Sequence, residues 1–324
     1  MKKRFLTFIL AIAAVVSCTF GFSACGGGNP PESSDNGSSS SVGNLDTLSP
    51  EMKDELSGFY YTFSSGSCII TGVKDKTVTE IIIPNFVTSI GERAFYNCDS
   101  LTSVEIPDSV TSIGEYAFEY CDSLTSVVIG DGVTSIGYSA FKGCSGLTSV
   151  DIGDSVTSIG RYAFSRCDSL TSITVSANNA EYKSIDGNLY TKDGKTLLQY
   201  AIGKTSDSFT IPDSVTSIGE RAFYDCDGLM SVVIGGSVTS IGDDAFYDCD
   251  GLTSVVIGGS VTSIGNDAFY GCDRLTSITF EDTSTWYYTK NNNQTGGTEI
   301  DLTGPSTNAT YFKSTYYIYY WYKK

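Results

Sequence analysis

Seven phenylalanines fall on one 23-residue period: Phe95, Phe118, Phe141 and Phe164, then Phe223, Phe246 and Phe269. Each follows an alanine and precedes a cysteine by three residues, which gives a second column of Cys98, Cys121, Cys144, Cys167, Cys226, Cys249 and Cys272. The step is broken once, between Cys167 and Cys226, where the gap is longer than two periods and shorter than three. Columns running from Leu101 to Leu275, from Ile90 to Ile264 and from Gly91 to Gly265 obey the same arithmetic. A fixed period of this length means one small unit copied along an axis, each copy burying its apolar face against the next. The 324 residues are therefore one elongated array with ends, not two globular domains of ordinary size.

Residues 101–121 show the unit. Leu101, Val104 and Ile106 have the period-two alternation of a strand with one buried face. Val110 and Ile113 bracket Thr111-Ser112 as a second, shorter extended piece. Gly114 permits a turn into one or two helical turns, with Ala117, Phe118 and Cys121 facing inward at helical spacing. One such coil buries too little apolar surface to offset the ordering of its own backbone, so it needs neighbours stacked at the ~4.8 Å strand spacing.

Between Ile173 and Phe209 the period fails. Asp186-Gly187 and Asp193-Gly194 lie between apolar pieces there. Such pairs signal tight hairpin turns, so this unit reads as a coil widened by a β-hairpin at about 177–208. The array, about 87–281, needs a cap at each end to cover its core. Residues 51–86, with Phe59, Tyr60, Tyr61, Phe63 and Ile81-Ile82-Ile83, read as an N-terminal cap of strands. Residues 282–324, with Trp286, Tyr287, Tyr288 and the run Tyr316–Tyr322, read as an aromatic C-terminal β cap. An adhesive aromatic tail is the other reading of that run; core closure is preferred because large amphipathic rings cover an open end efficiently.

The unit from Leu124 to Cys144, LTSVVIGDGVTSIGYSAFKGC, resembles the 23-residue leucine-rich repeat of the BspA-like bacterial surface antigens. The resemblance covers about residues 86–281 and holds in every inward column. It implies a leucine-rich-repeat solenoid, an α/β repeat with a parallel β-sheet on one side, short helices on the other and β-rich terminal caps. It also implies display on the cell surface and a part in adhesion to host matrix proteins or other cells. Insertions like that at 177–208 are implied as well.

The first residues read as an address. Lys2, Lys3 and Arg4 precede an apolar run from Phe5 to Val16, which is too short for the ~20 residues of a membrane span and gives way to small residues. Ser23-Ala24-Cys25 followed by three glycines resembles a bacterial lipobox, with Phe22 where that motif usually has Leu. Residues 1–24 are thus expected to be a lipoprotein signal peptide and Cys25 the lipid-attachment residue; an ordinary secretory peptide and attachment at Cys18 are the alternatives. Residues 25–50, dominated by Gly, Ser, Asn, Pro and Asp, read as a flexible linker. Loss of 1–24 leaves 17 positive charges against 37 negative, or −20, so the lipid and not a cationic patch would hold the chain at the membrane.

Composition narrows the chemistry. The chain has no histidine, which removes Ser-His-Asp and Cys-His catalysis and the usual histidine zinc sites. A net charge of −17 argues against nucleic acid as a partner. No unit holds a paired carboxylate in a non-repeating context and no nucleophile has a base, so no enzyme, no cofactor and no metal site are expected. The cysteine column is expected to consist of buried free thiols, since its members project in one direction; disulfides are the alternative. Asp99, Asp122, Asp168, Asp227, Asp250 and Asp273 follow the cysteines and suit turn formation, with a calcium ladder as the sharper alternative.

The outward row of the long strand offers Ser, Val, Thr and acids, without Arg, Trp or Tyr. The binding candidates are instead Tyr96, Tyr224, Tyr247 and Tyr270, each next to a column Phe, with Tyr116, Tyr120, Tyr138 and Tyr162 nearby. Exposed tyrosines serve protein or glycan recognition, though such a stripe could equally shield the ladder edge. The resulting expectation is a monomeric, exported, lipid-anchored surface protein that binds an extracellular protein or glycan. Its alternative is an accessory lipoprotein that captures glycans or other substrates for enzymes or transporters.

Overall fold

The computed structural model describes residues 48–290, 294, 296–315 and 318–323. The signal peptide, Cys25 and nearly all of the linker lie outside these. The folded part starts a little earlier than position 51: Leu48 is buried, and Ser49 caps the short helix Pro50–Glu55 by accepting the N–H of Met52 at 3.2 Å. Among the described residues no helix is long and apolar enough to cross a membrane.

Each coil contributes one rung to two parallel ladders. The long rungs Ser103–Ile106, Ser126–Ile129, Ser149–Ile152 and Ser172–Val175 pair in strict register from coil to coil, Val104 with Val127, then Val150, then Ile173. The short rungs Ser89–Ile90, Ser112–Ile113, Ser135–Ile136 and Ser158–Ile159 pair likewise. Inward Val and Ile of these rungs are buried, apart from the partly buried Ile159 and Val175 beside the irregular unit, because the period-two pattern places them on one face. Threonines lock the stack from outside. Thr125 and Thr148 each donate both N–H and Oγ1–H to the carbonyl of the threonine one coil before, at 2.9 Å in all four bonds.

The third side of the coil differs from expectation. It is a run of turns, not a helix, and two residues per coil are left-handed: Tyr116 (φ 56°) and Tyr120 (φ 59°) in the second, Tyr162 (φ 60°) and Arg166 (φ 56°) in the fourth. With these two inversions in the turn, alternate N–H groups face in opposite directions. Those of Tyr116, Phe118 and Tyr120 donate forward to the carbonyls of Tyr138, Ala140 and Lys142, at 2.9, 2.7 and 2.9 Å, while those of Glu119 and Cys121 close i→i−3 turns. Every coil thus needs a successor on this side too, which an α-helix, satisfied within itself, would not. The glycine column has a cause other than turn flexibility. A Cβ at Gly137 would lie 2.6 Å from backbone atoms of the preceding coil, at both Gly114 and Glu115, so glycine is what lets coils approach.

Inside, the phenylalanines form two stacks. Phe95, Phe118, Phe141 and Phe164 lie nearly parallel with centroids 4.8, 5.1 and 5.7 Å apart. Phe223, Phe246 and Phe269 repeat this at 4.6 and 5.0 Å. Between them the core divides, one cluster ending at Leu189 and Ala201, the other starting at Tyr190, Leu197 and Tyr200. The seam is made by the irregular unit, an antiparallel meander of Tyr182–Ile185, Asn188–Thr191 and Thr196–Gln199. Asp186 and Gly187, both at positive φ, form its first two-residue turn. Its third strand then re-enters the short ladder by pairing parallel with Ser217–Ile218.

The N-terminal end is closed by the hairpin Phe59–Ser64 and Ser67–Val73, whose second strand starts the short ladder against Ser89–Ile90. The C-terminal cap is not β alone. Tyr320–Lys323 pairs antiparallel with Ser263–Ile264 and with Trp286–Thr289, but the helix Pro305–Thr310 and a π-helical turn, Tyr311–Thr315, cover the last coil. Pro305 presets the first helical turn. Buried Asn308 then donates its Nδ2 to the carbonyls of Ile278 and Leu302, at 2.9 and 2.8 Å, satisfying backbone acceptors at that end.

Candidate functional site

The turn side of the coil carries the aromatic candidates. Because each turn recurs once per period, side chains that leave it on the same side come together along the axis even from different positions. Tyr116, Tyr138, Tyr162, Tyr224, Tyr247 and Tyr270 form one continuous ladder, with centroids 5.4, 5.5, 5.1, 5.1 and 5.2 Å apart. Three candidates named from sequence, Tyr224, Tyr247 and Tyr270, make its last half. Tyr96 is not in it: its ring meets Tyr120 at 6.1 Å and the ammonium of Lys76 at 5.6 Å. Sequence reading missed that Tyr162 joins Tyr224 across the irregular unit, because the whole of that unit parts them in the chain and a column count skips the break.

The ladder is half-buried except at the exposed Tyr138, and Arg93 and Arg221 lie over Tyr116 and Tyr162 at 4.5 Å, the range of a cation–π contact. Burial raises the hydroxyl pKa of Tyr224 and, less strongly, of Tyr247, so both stay protonated donors at neutral pH. The rings meet edge to face from Tyr116 to Tyr224 and stack between Tyr224 and Tyr247, so ring faces are partly used internally.

Beside the ladder lies an acidic hollow of about 560 Å³ that includes Asp168, Asp225, Asp227, Asp248, Asp250 and Asp273, with Arg166 and Lys313. Burial, and then repulsion from other aspartates, raises the pKa of Asp248; in Asp225 the burial is partly offset by the Arg166 guanidinium 3.1 Å away. Asp227 accepts the N–H of Asp250, one coil on, at 3.3 Å, so this aspartate ties two coils rather than its own turn. Among the described residues no group of three or more side chains is arranged to hold a metal ion.

The column cysteines and Cys68 are buried free thiols. Each of five donates its S–H to the carbonyl of the preceding coil's phenylalanine, as Cys144 does to Phe118 at 3.1 Å and Cys249 to Phe223 at 2.9 Å. The column therefore serves stacking and is withheld from chemistry.

The family model for the BspA type leucine-rich repeat region matches residues 73–192 and 200–314, in six copies. A crystal structure of a leucine-rich repeat protein from Eubacterium ventriosum is similar over 66% of this chain and 68% of that one, at 28% identity and a TM-score of 0.53. The pneumococcal vaccine antigen PcpA shares the fold over 62% of each chain, at 21% identity and a TM-score of 0.51. No curated protein matches the chain.

Proposed function

Because the chain belongs to the BspA-type leucine-rich-repeat family, whose repeats are generally non-catalytic, we propose that it is a cell-surface binding module. It is held to the bacterial membrane by a lipid on Cys25 and engages an extracellular protein through the tyrosine ladder. The observation that carries this reading is the continuity of that ladder. Six contiguous tyrosines, meeting edge to face from Tyr116 to Tyr224 and then stacked or tilted on to Tyr270, with two arginines over them, form a preorganised surface of the residue types that dominate protein interfaces. The acidic hollow beside it adds a sign to the surface and favours a partner with basic groups. Protein is favoured over glycan because neighbouring rings and the two guanidiniums occupy ring faces, whereas a sugar needs an open one. No catalytic residue is assigned; the family's repeats present area rather than a reaction centre.

The test is a direct screen of the secreted-form chain against extracellular matrix proteins and, in parallel, a glycan array. Saturable binding to a matrix protein supports the reading; binding confined to glycans assigns the chain to the substrate-capture alternative. Metabolic labelling with palmitate checks the anchor, which Cys25→Ala is expected to abolish with release of the protein into the medium.

A further inference from the structure

The irregular unit re-enters the stack two residues short. In a regular coil five positions lead from the short-rung isoleucine to the column phenylalanine, as from Ile113 to Phe118. In the irregular unit Leu197 takes the isoleucine's place, its carbonyl accepting the N–H of Gly219 at 2.9 Å. Tyr200 takes the phenylalanine's place, donating its N–H to Ala222 at 2.8 Å and stacking on Phe223 at 5.1 Å. Three positions separate them instead of five.

What the shortening removes is one bridging peptide group. In the second coil the Glu115–Tyr116 peptide accepts the N–H of Arg93 through its carbonyl at 3.0 Å and donates its own N–H to Tyr138 at 2.9 Å. At the seam no such group stands between the fourth and fifth coils. The N–H groups of Tyr162 and Phe164, whose counterparts donate forward in the coils before, and the carbonyl of Glu220, whose counterparts accept, have no hydrogen-bond partner among the described residues. They line a cleft of about 400 Å³, with Leu189 and Leu198 as apolar surface and Tyr182 beside them. That volume is within the range of small-ligand pockets. The two halves are held around it by Arg161–Glu220 and Arg166–Asp225, both at 3.1 Å, and by the Tyr162–Tyr224 contact.

We propose that this cleft binds an extended peptide segment of a partner protein, whose backbone supplies the missing group. The inference rests on the reading of the chain as a protein-binding module and names the form of the partner. Two forward-facing donors opposite an acceptor match an amide, which offers a carbonyl and an N–H at once. A lone anion would use the donors and leave the Glu220 carbonyl unsatisfied, which is costly in a cleft. The lining charges also balance, Arg161 and Arg221 against Glu181 and Glu220, so no net field selects an anion. Leu189 and Leu198 receive an apolar side chain of the peptide. This is β-augmentation carried out inside a stack rather than at its end.

The test selects a phage-displayed dodecapeptide library on the full chain, measures a synthesised winner by fluorescence anisotropy, and follows amide exchange at single-residue resolution by NMR. The free protein should exchange the amides of Tyr162 and Phe164 at least tenfold faster than those of Tyr116 and Phe118, and the peptide should slow them by tenfold or more. Leu198→Trp, which fills the cleft, should weaken the peptide at least tenfold, while Val233→Ser, on the exposed face of a long rung, should not. Slow exchange in the free chain, no selected peptide, or a glycan that protects these amides in a peptide's place would each overturn the proposal. Peptides that protect other amides and are lost with joint Tyr247→Ser and Tyr270→Ser would overturn the seam site and leave the binding-module reading intact.

Discussion

Ser139 shows at one residue what the repeat imposes. It sits at a left-handed φ of 51°, is 1% exposed, and its Oγ has no hydrogen-bond partner. Both features disfavour serine: an L-residue strains at positive φ, and a buried hydroxyl without a partner forfeits its hydration. Ser139→Gly keeps the backbone bond to Arg161 and removes both, so it is expected to stabilise the chain by about 1–3 kcal/mol in chemical denaturation. The cysteines make the complementary point. Burial pushes the thiols of Cys144, Cys167 and Cys249 up from the usual 9.0, and that of Cys226 to about 12. A folded-state value above the unfolded one means that stability is intact below pH 9 and falls as pH climbs toward 12. The loss is about 1.4 kcal/mol per thiol for each pH unit across that interval. Denaturation midpoints at pH 8 and pH 10 should show a steep drop, and Cys226→Ala should make it shallower.

At the scale of the coil, the glycine column is the sharpest case. Gly137→Ala would set a Cβ 2.6 Å from the backbone of the preceding coil, on a stack fixed by register on both ladders. Relief requires moving backbone, so a loss of about 3 kcal/mol or more is expected, at the upper end of ordinary overpacking, read as a lowered denaturation midpoint. Much of this element was legible beforehand: Val104 and Ile106 are buried by their two-residue alternation, and Val110, Ile113, Phe118 and Cys121 because each stands in a column that every coil repeats. The helix expected over Ala117 to Cys121 was not. Its inward spacing is shared by a helix and by a run of turns with two left-handed residues, and the discriminating fact, left-handed φ at Tyr116 and Tyr120, has no mark in residues that are not glycine. The threonines' role was equally hidden, since a hydroxyl bonding one coil back looks in sequence like any exposed polar residue.

For the whole molecule, the period predicts the axis and the break predicts the seam, but not what the seam does. The length of the gap between Cys167 and Cys226 is plain in the sequence; that the chain's return is two residues short appears only when Leu197 and Tyr200 are placed against Ile218 and Phe223. The candidate site follows the same rule. Tyr224, Tyr247 and Tyr270 were legible as a column, whereas Tyr116, Tyr138 and Tyr162 leave the turn from different positions and join the ladder only through side-chain geometry. Tyr96, in register by sequence, is drawn off by Tyr120 and Lys76.

The central claim is that this ladder is where a partner docks. Its most direct measurement compares the chain and the joint Tyr224→Ser, Tyr247→Ser, Tyr270→Ser variant for binding to whichever matrix protein the screen selects, with the thermal unfolding of both recorded. Interface tyrosines of this kind carry about 2 kcal/mol or more each when central, so a loss of binding beyond a hundredfold is expected with folding retained. Unchanged affinity in a folded variant would contradict the account and leave the ladder as a cover for the edges of the stack.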